Sequence, residues 1–203
     1  MKSNVKKIVK KIIPHRFKRG LPNSRDFVLK SMPSNSICAE VGVLRGDFSK
    51  RILRIVEPKK LHLIDAWKIT TGDAYKDSPL VLEQDQYRMD KNFEIVLERF
   101  KTEIKSGRVS IEHGKSEEML QKFEDNYFDW IYVDANHSYE FVKKDLESCY
   151  PKVKKNGFIA GDDYGYEGKW WGENTTKAVD EFIKNGYVKL IKVKNHQYIL
   201  QKI

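Results

Sequence analysis

Between Phe128 and Tyr164 the chain reads FDWIYVDANHSYEFVKKDLESCYPKVKKNGFIAGDDY. The pattern predicts an apolar strand ending at Asp134, a helix, and a second strand ending at the pair Asp162-Asp163. Val142, Leu146 and Cys149 share one face of that helix, and Pro151 closes it. Two strands joined by one right-handed crossover lie side by side with their ends at the same sheet edge. Three carboxylates therefore converge there, with His137 beside them. Hard divalent cations prefer such oxygen-rich sites, so Asp134, Asp162 and Asp163 are the expected metal ligands.

The preceding half supplies the rest of the edge. Ile37–Val41 is a short apolar run, Gly42 and Gly46 bracket a tight turn, and Asp47 is placed to cap a helix whose Phe48, Ile52, Ile55 and Val56 share a face. Strand, glycine turn and helix in this order open a doubly wound α/β fold. A dinucleotide fingerprint needs a glycine where this turn carries Val43, Leu44 and Arg45, and Glu40 would repel a pyrophosphate. A ligand with a sulfonium and an amino group but no phosphate suits Glu40 better. Asp65, at the end of the strand LHLID, suits a pair of ribose hydroxyls. These features favour S-adenosylmethionine over NAD. Val109–His113 reads as a third strand, after which Ser116 either contacts the adenine or caps a helix.

Residues 68–92 form a long polar connection in which Tyr75, Gln84, Gln86 and Tyr87 either line a substrate pocket or face solvent. A helix is expected from Phe93 through Ile104. After Tyr164, Trp170 and Trp171 either wall a substrate or dock on the domain. Asn174 is expected to cap the following helix. Tyr187–Val193 and Gln197–Ile203 then form an antiparallel hairpin around Lys194-Asn195-His196.

The net charge of +9 is concentrated in one segment. Residues 1–30 hold ten Lys/Arg against Asp26 alone, whereas the remainder is balanced. A neutral domain argues against a nucleic-acid footprint across a substrate face. Residues 1–19 have Val5, Ile8, Val9, Ile12 and Ile13 at helical spacing among lysines, a pattern suited to an anionic membrane surface, a partner, a second subunit or the domain itself. We divide the chain into a basic arm with a lead-in helix (1–33) and a catalytic domain (34–203). No apolar run is long enough to span a bilayer, and no secretory signal is evident, so a cytoplasmic protein, peripheral at most to a membrane, is expected. Cys38 and Cys149 read as buried free thiols.

With these motifs in place, residues 34–203 resemble class I S-adenosylmethionine-dependent methyltransferases, in particular the small O-methyltransferases of the macrocin and cephalosporin type. The resemblance rests on AEVGVLRG, LIDAW, HGKSEE, VDANHSYEFVKKDL and NGFIAGDDY, in that order. It implies a Rossmann-like seven-stranded sheet, mostly parallel, with the C-terminal hairpin supplying an antiparallel edge. It implies cofactor contacts from Glu40, Gly42, Gly46, Asp65, Ser116 and Asp134. It also implies Mg²⁺ on Asp134, Asp162 and Asp163. Where relatives place a lysine base three residues after the first metal aspartate, this chain has His137, and imidazole titrates near neutrality without strong perturbation. Asp134 and His137 are thus the expected catalytic pair, His137 acting either as the base or as an orienting hydrogen-bond partner, with Tyr164, Trp170 and Trp171 near a sugar-containing or other small-molecule hydroxyl acceptor. The competing readings are a non-catalytic cofactor-binding or membrane-docking protein of this fold, and an RNA methyltransferase using the arm.

Overall fold

The computed structural model describes residues 25–69, 85–166 and 173–203. Residues 1–24 of the basic arm, together with Tyr75, Gln84, Trp170 and Trp171, lie outside the described residues. Seven strands form one sheet: β1 (Ile37–Val41), β2 (Lys60–Asp65), β3 (Val109–His113), β4 (Phe128–Val133), β5 (Val153–Gly161), β6 (Val188–Lys194) and β7 (Gln197–Lys202). Their spatial order is β3-β2-β1-β4-β5-β7-β6. The first five run parallel, whereas β7 is antiparallel to both β5 and β6. This is the Rossmann-like sheet with a closing hairpin expected from the sequence. The strand order reverses between β1 and β4, and ligands of such sheets bind outside the carboxyl ends of the strands at that point.

The seven described helices are α1 (Asp26–Leu29), α2 (Asp47–Ile55), α3 (Gln86–Arg99), α4 (Lys101–Lys105), α5 (Ser116–Leu120), α6 (Tyr139–Lys152) and α7 (Asn174–Lys184). Parallel strands covered on both faces must be largely buried on both faces, and β1 and β4 are mainly apolar runs. One core joins Ala39, Val41, Ile131 and Val133 to Leu120 of α5, Leu146 of α6 and Val179 of α7. The other joins Cys38, Leu63, Trp130 and Tyr132 to Leu29 of α1, Ile52 of α2 and Val96 of α3. Both cysteines are buried free thiols.

Several local expectations shift. The helix expected from Phe93 begins at Gln86, because Asp85 accepts a hydrogen bond from the Arg88 amide at 2.9 Å and caps it. Gln86 is therefore in a helix rather than a loop, donating to the Trp67 carbonyl at 2.9 Å. That helix breaks at Phe100, whose φ of −110° and ψ of 17° leave the helical region. The N-cap of α2 is Gly46, not Asp47, and that of α7 is Glu173, not Asn174. The hairpin turn has Asn195 and His196 both at positive φ, the geometry a two-residue connection needs to match strand twist. Among the described residues, no helix is long and apolar enough to cross a membrane.

Candidate active site

The carboxyl ends of β1, β2 and β4 are stitched together by backbone. The Asp134 amide donates to Val41 and the Gly42 amide to Ile64, at 2.8 and 2.9 Å. Gly42 has φ of +89°, and a Cβ there would lie 2.1 Å from the Asp134 carbonyl oxygen. Only glycine allows the first turn to pass this close to β4. The turn then folds over Asp65. Its Oδ2 accepts from the Val43 and Leu44 amides at 2.8 and 2.9 Å, and its Oδ1 accepts from the Trp67 amide at 2.7 Å. Asp65 thus shapes the glycine turn as well as standing where a ribose was expected.

Glu40 is buried at the foot of this turn, 2 % exposed, and accepts from the Ser49 hydroxyl at 2.5 Å. Burial pushes its carboxyl up to about 8, against the Ser49 hydrogen bond and with help from Asp134. Asp134 and Asp65 add negative charge around it while Arg25 opposes them, so a further anion such as a pyrophosphate is disfavoured beside Glu40.

Asp134, His137 and Asp163 bring ligand atoms within 4.8 Å of one another, a geometry able to hold a metal ion. His137 Nδ1 lies 3.1 Å from Asp163 Oδ2. Asp162, the third expected ligand, stands outside this tightest group. Its Oδ1 accepts from the Asp163 amide at 2.9 Å and from the Gln197 side chain of β7, whose own Oε1 accepts from Tyr132 at 2.6 Å. Its Oδ2 pairs with Arg25. Burial, and then the neighbouring Asp134, push the Asp162 carboxyl up, while Arg25 works against them. Burial likewise raises Asp163, opposed first by His137. Clustered, partly buried carboxylates disfavour their shared charge, so the donor set suits a hard cation.

A small pocket opens beside these groups, lined by Asp134, Asn136, His137, Asp162, Thr175 and Tyr198 among others. In its wall the Thr175 hydroxyl is buried and has no hydrogen-bond partner among the described residues. An orphaned hydroxyl is costly unless a ligand or water completes it, and it adds to the case that a polar group enters here.

Two expected residues are engaged elsewhere. The Ser116 hydroxyl donates to Asp145 on α6, and the N-cap of α5 is Lys115. The Tyr164 hydroxyl donates to Asp180 of α7 at 2.7 Å. Three residues were missed. Arg25 reads from the sequence as charge at the start of the lead-in helix, with no link to the acidic edge. Asp145 could have been noticed as an acid inside the Val142–Leu146–Cys149 face of α6. Thr175 was hidden in a stretch read as a helix cap.

A sheet of this order, with an acid-lined edge at its reversal point, defines the Rossmann-like class I S-adenosylmethionine-dependent methyltransferases. Residues 39–164 match the family described as "Methyltransferase domain", and the chain belongs to it. No curated protein matches the chain. Among solved structures it is similar to the O-methyltransferase NovP, with 19 % identity, 88 % of this chain and 76 % of that one covered, and a TM-score of 0.57. A Staphylococcus aureus protein provisionally named a caffeoyl-CoA O-methyltransferase matches at 14 % identity over 89 % and 80 % of the two chains, TM-score 0.59. A Clostridium thermocellum protein provisionally named an rRNA-methylase matches at 14 % identity over 90 % and 97 %, TM-score 0.60. At these identities the likeness is one of fold.

Proposed function

We propose that this methyltransferase transfers its methyl group to a hydroxyl oxygen of a sugar-containing or other small-molecule acceptor, with a divalent cation, Mg²⁺ by preference, at the Asp134–Asp162–Asp163 edge. The observation that carries the reading is the His137–Asp163 pair beside two further carboxylates, directly against the Gly42 turn. S-adenosylmethionine, when bound, supplies an electrophilic methyl group. A cation on the three acids, when bound, lowers the pKa of a hydroxyl oxygen. The chain's own residues do the rest. Glu40 and the Gly42–Gly46 turn receive the cationic donor. Asp163 orients His137 through Nδ1, so that Nε2 takes the acceptor proton as general base. Gln197 fixes Asp162, and much of the acceleration comes from holding the two reactants in line. The charge balance of residues 31–203 favours a small acceptor over RNA, and the macrocin and cephalosporin type remains the nearest pattern by motif. Residues 1–19 are the proposed contact with an anionic membrane or a second subunit, which vesicle co-sedimentation and light scattering would test.

A thermal-shift titration with S-adenosylmethionine, with and without Mg²⁺, tests the reading. Stabilisation by the cofactor and a further shift with Mg²⁺ are expected. Turnover on a hydroxyl acceptor should vanish in EDTA and in Asp162→Ala and Asp163→Ala. Full activity in EDTA would remove the metal from the mechanism.

A further inference from the structure

Arg25 reaches into the acidic edge from outside the sheet. Its Nη1 lies 2.6 Å from Asp134 Oδ2, and its Nη2 pairs with Asp162 Oδ2. The guanidinium carbon stands 5.5 Å from the centroid of the Phe48 ring. This placement is built. Arg25 immediately precedes α1, whose Val28 and Leu29 are fully buried, and Asp26 of the same helix is held by Arg51 of α2, Nε to Oδ1 at 3.0 Å. A docked helix therefore delivers the guanidinium to two strand ends.

Burial opposes the charge on Arg25, yet Asp134, Tyr132 and Asp162 together raise its pKa well above the ordinary value. In turn Arg25 works to lower the pKa of Asp162, Asp163 and Glu40. Two carboxylates facing one cavity repel one another, and a planar fork with separate N–H groups can satisfy one oxygen of each. The oxygens it takes belong to two of the three proposed metal ligands. A divalent cation held by Asp134 and Asp162 would draw on those oxygens and would be repelled by the guanidinium.

We propose that Arg25 is an internal counter-cation of the acidic edge, holding Asp134 and Asp162 in register and competing with a divalent cation for their Oδ2 atoms. The competition rests on the metal reading above. Its consequence is that metal loads only as the Arg25 side chain swings away, so that the lead-in helix sets the cation concentration at which the edge fills.

The test is Mn²⁺ binding, read by electron paramagnetic resonance of the free ion, for the full chain and for Arg25→Gln and Arg25→Lys. With the competitor removed, Arg25→Gln should bind Mn²⁺ at least tenfold more tightly than the parent. Arg25→Lys, which keeps the charge but loses the fork, should fall between them and serves if the glutamine variant does not fold. Without metal, Arg25→Gln should melt below the parent, and saturating Mn²⁺ should raise its Tm by more than it raises the parent's. Equal affinities in all three proteins would overturn the counter-cation role and leave the metal reading standing. No Mn²⁺ binding by any of them would overturn both. Binding by the variants alone would support the competition and remove the metal from the parent enzyme.

Discussion

Replacing Gly42 by alanine offers a clean measure of how tightly the first turn is pressed against β4. The added Cβ would lie 2.1 Å from the Asp134 carbonyl oxygen, 2.5 Å from its carbon and 2.7 Å from Ala135 Cα. All three are backbone atoms, so no rotamer change relieves the contact, and one strand end must move. The φ of +89° adds a conformational penalty of about 1–2 kcal/mol. Overpacking adds about 1–3 kcal/mol, for a total of about 2–5 kcal/mol. Gly107 provides the control. It also has positive φ, +75°, but a Cβ there meets nothing within 4 Å, so Gly107→Ala should cost only about 1–2 kcal/mol. Urea unfolding of the two variants, at unchanged m-value, gives the comparison, and calorimetric titration with S-adenosylmethionine gives the functional counterpart. Gly42→Ala should be the less stable by at least about 1 kcal/mol and should bind cofactor at least about tenfold more weakly, while Gly107→Ala binds normally. Equal stability losses would refute the close approach.

Asp145 makes a pH prediction. Burial pushes its carboxyl up to about 7, against the hydrogen bond from Ser116. Between its unfolded value and about 7 the folded state therefore holds the extra proton, so stability should fall as pH rises through that window and level off above it. At about 1.4 kcal/mol per unit the penalty amounts to a few kcal/mol. Asp145→Asn should remove most of this slope and exceed the parent in stability at pH 8, as urea melts at pH 5 and pH 8 would reveal. For Glu40, a cationic cofactor favours the ionised form, so affinity for S-adenosylmethionine should rise with pH until about 8 and then plateau. In Glu40→Gln that dependence should flatten and the cofactor should bind more weakly; an unchanged pH profile would argue that Glu40 stays neutral with cofactor bound.

The fold was legible because parallel strands buried on both faces announce themselves as apolar runs, and because β1, β2, β4 and β5 each end in a turn glycine or an acid. Helix ends were harder to read. Gly46 rather than Asp47 is the N-cap of α2 because a left-handed residue there turns the chain before any side chain can cap it. At the site, Asp134, Asp163 and His137 follow from strand ends and one crossover. Arg25 does not, since its partners lie more than a hundred residues away and no local spacing encodes them. Ser116 shows the same limit: its position at the third strand end was readable, but its bond to Asp145 depends on how α5 packs against α6.

The place of β7 in the sheet has a consequence for biosynthesis. The strand is last in chain order yet sits between β5 and β6, and its Gln197 steadies Asp162. A nascent chain can assemble β1 to β5 while residues 197–202 are still inside the ribosome, but Asp162 then lacks its anchor and the edge of β5 is bare. The acidic edge is therefore complete only once β7 has paired with β5. Until then β5 offers an open pairing edge to any neighbouring strand.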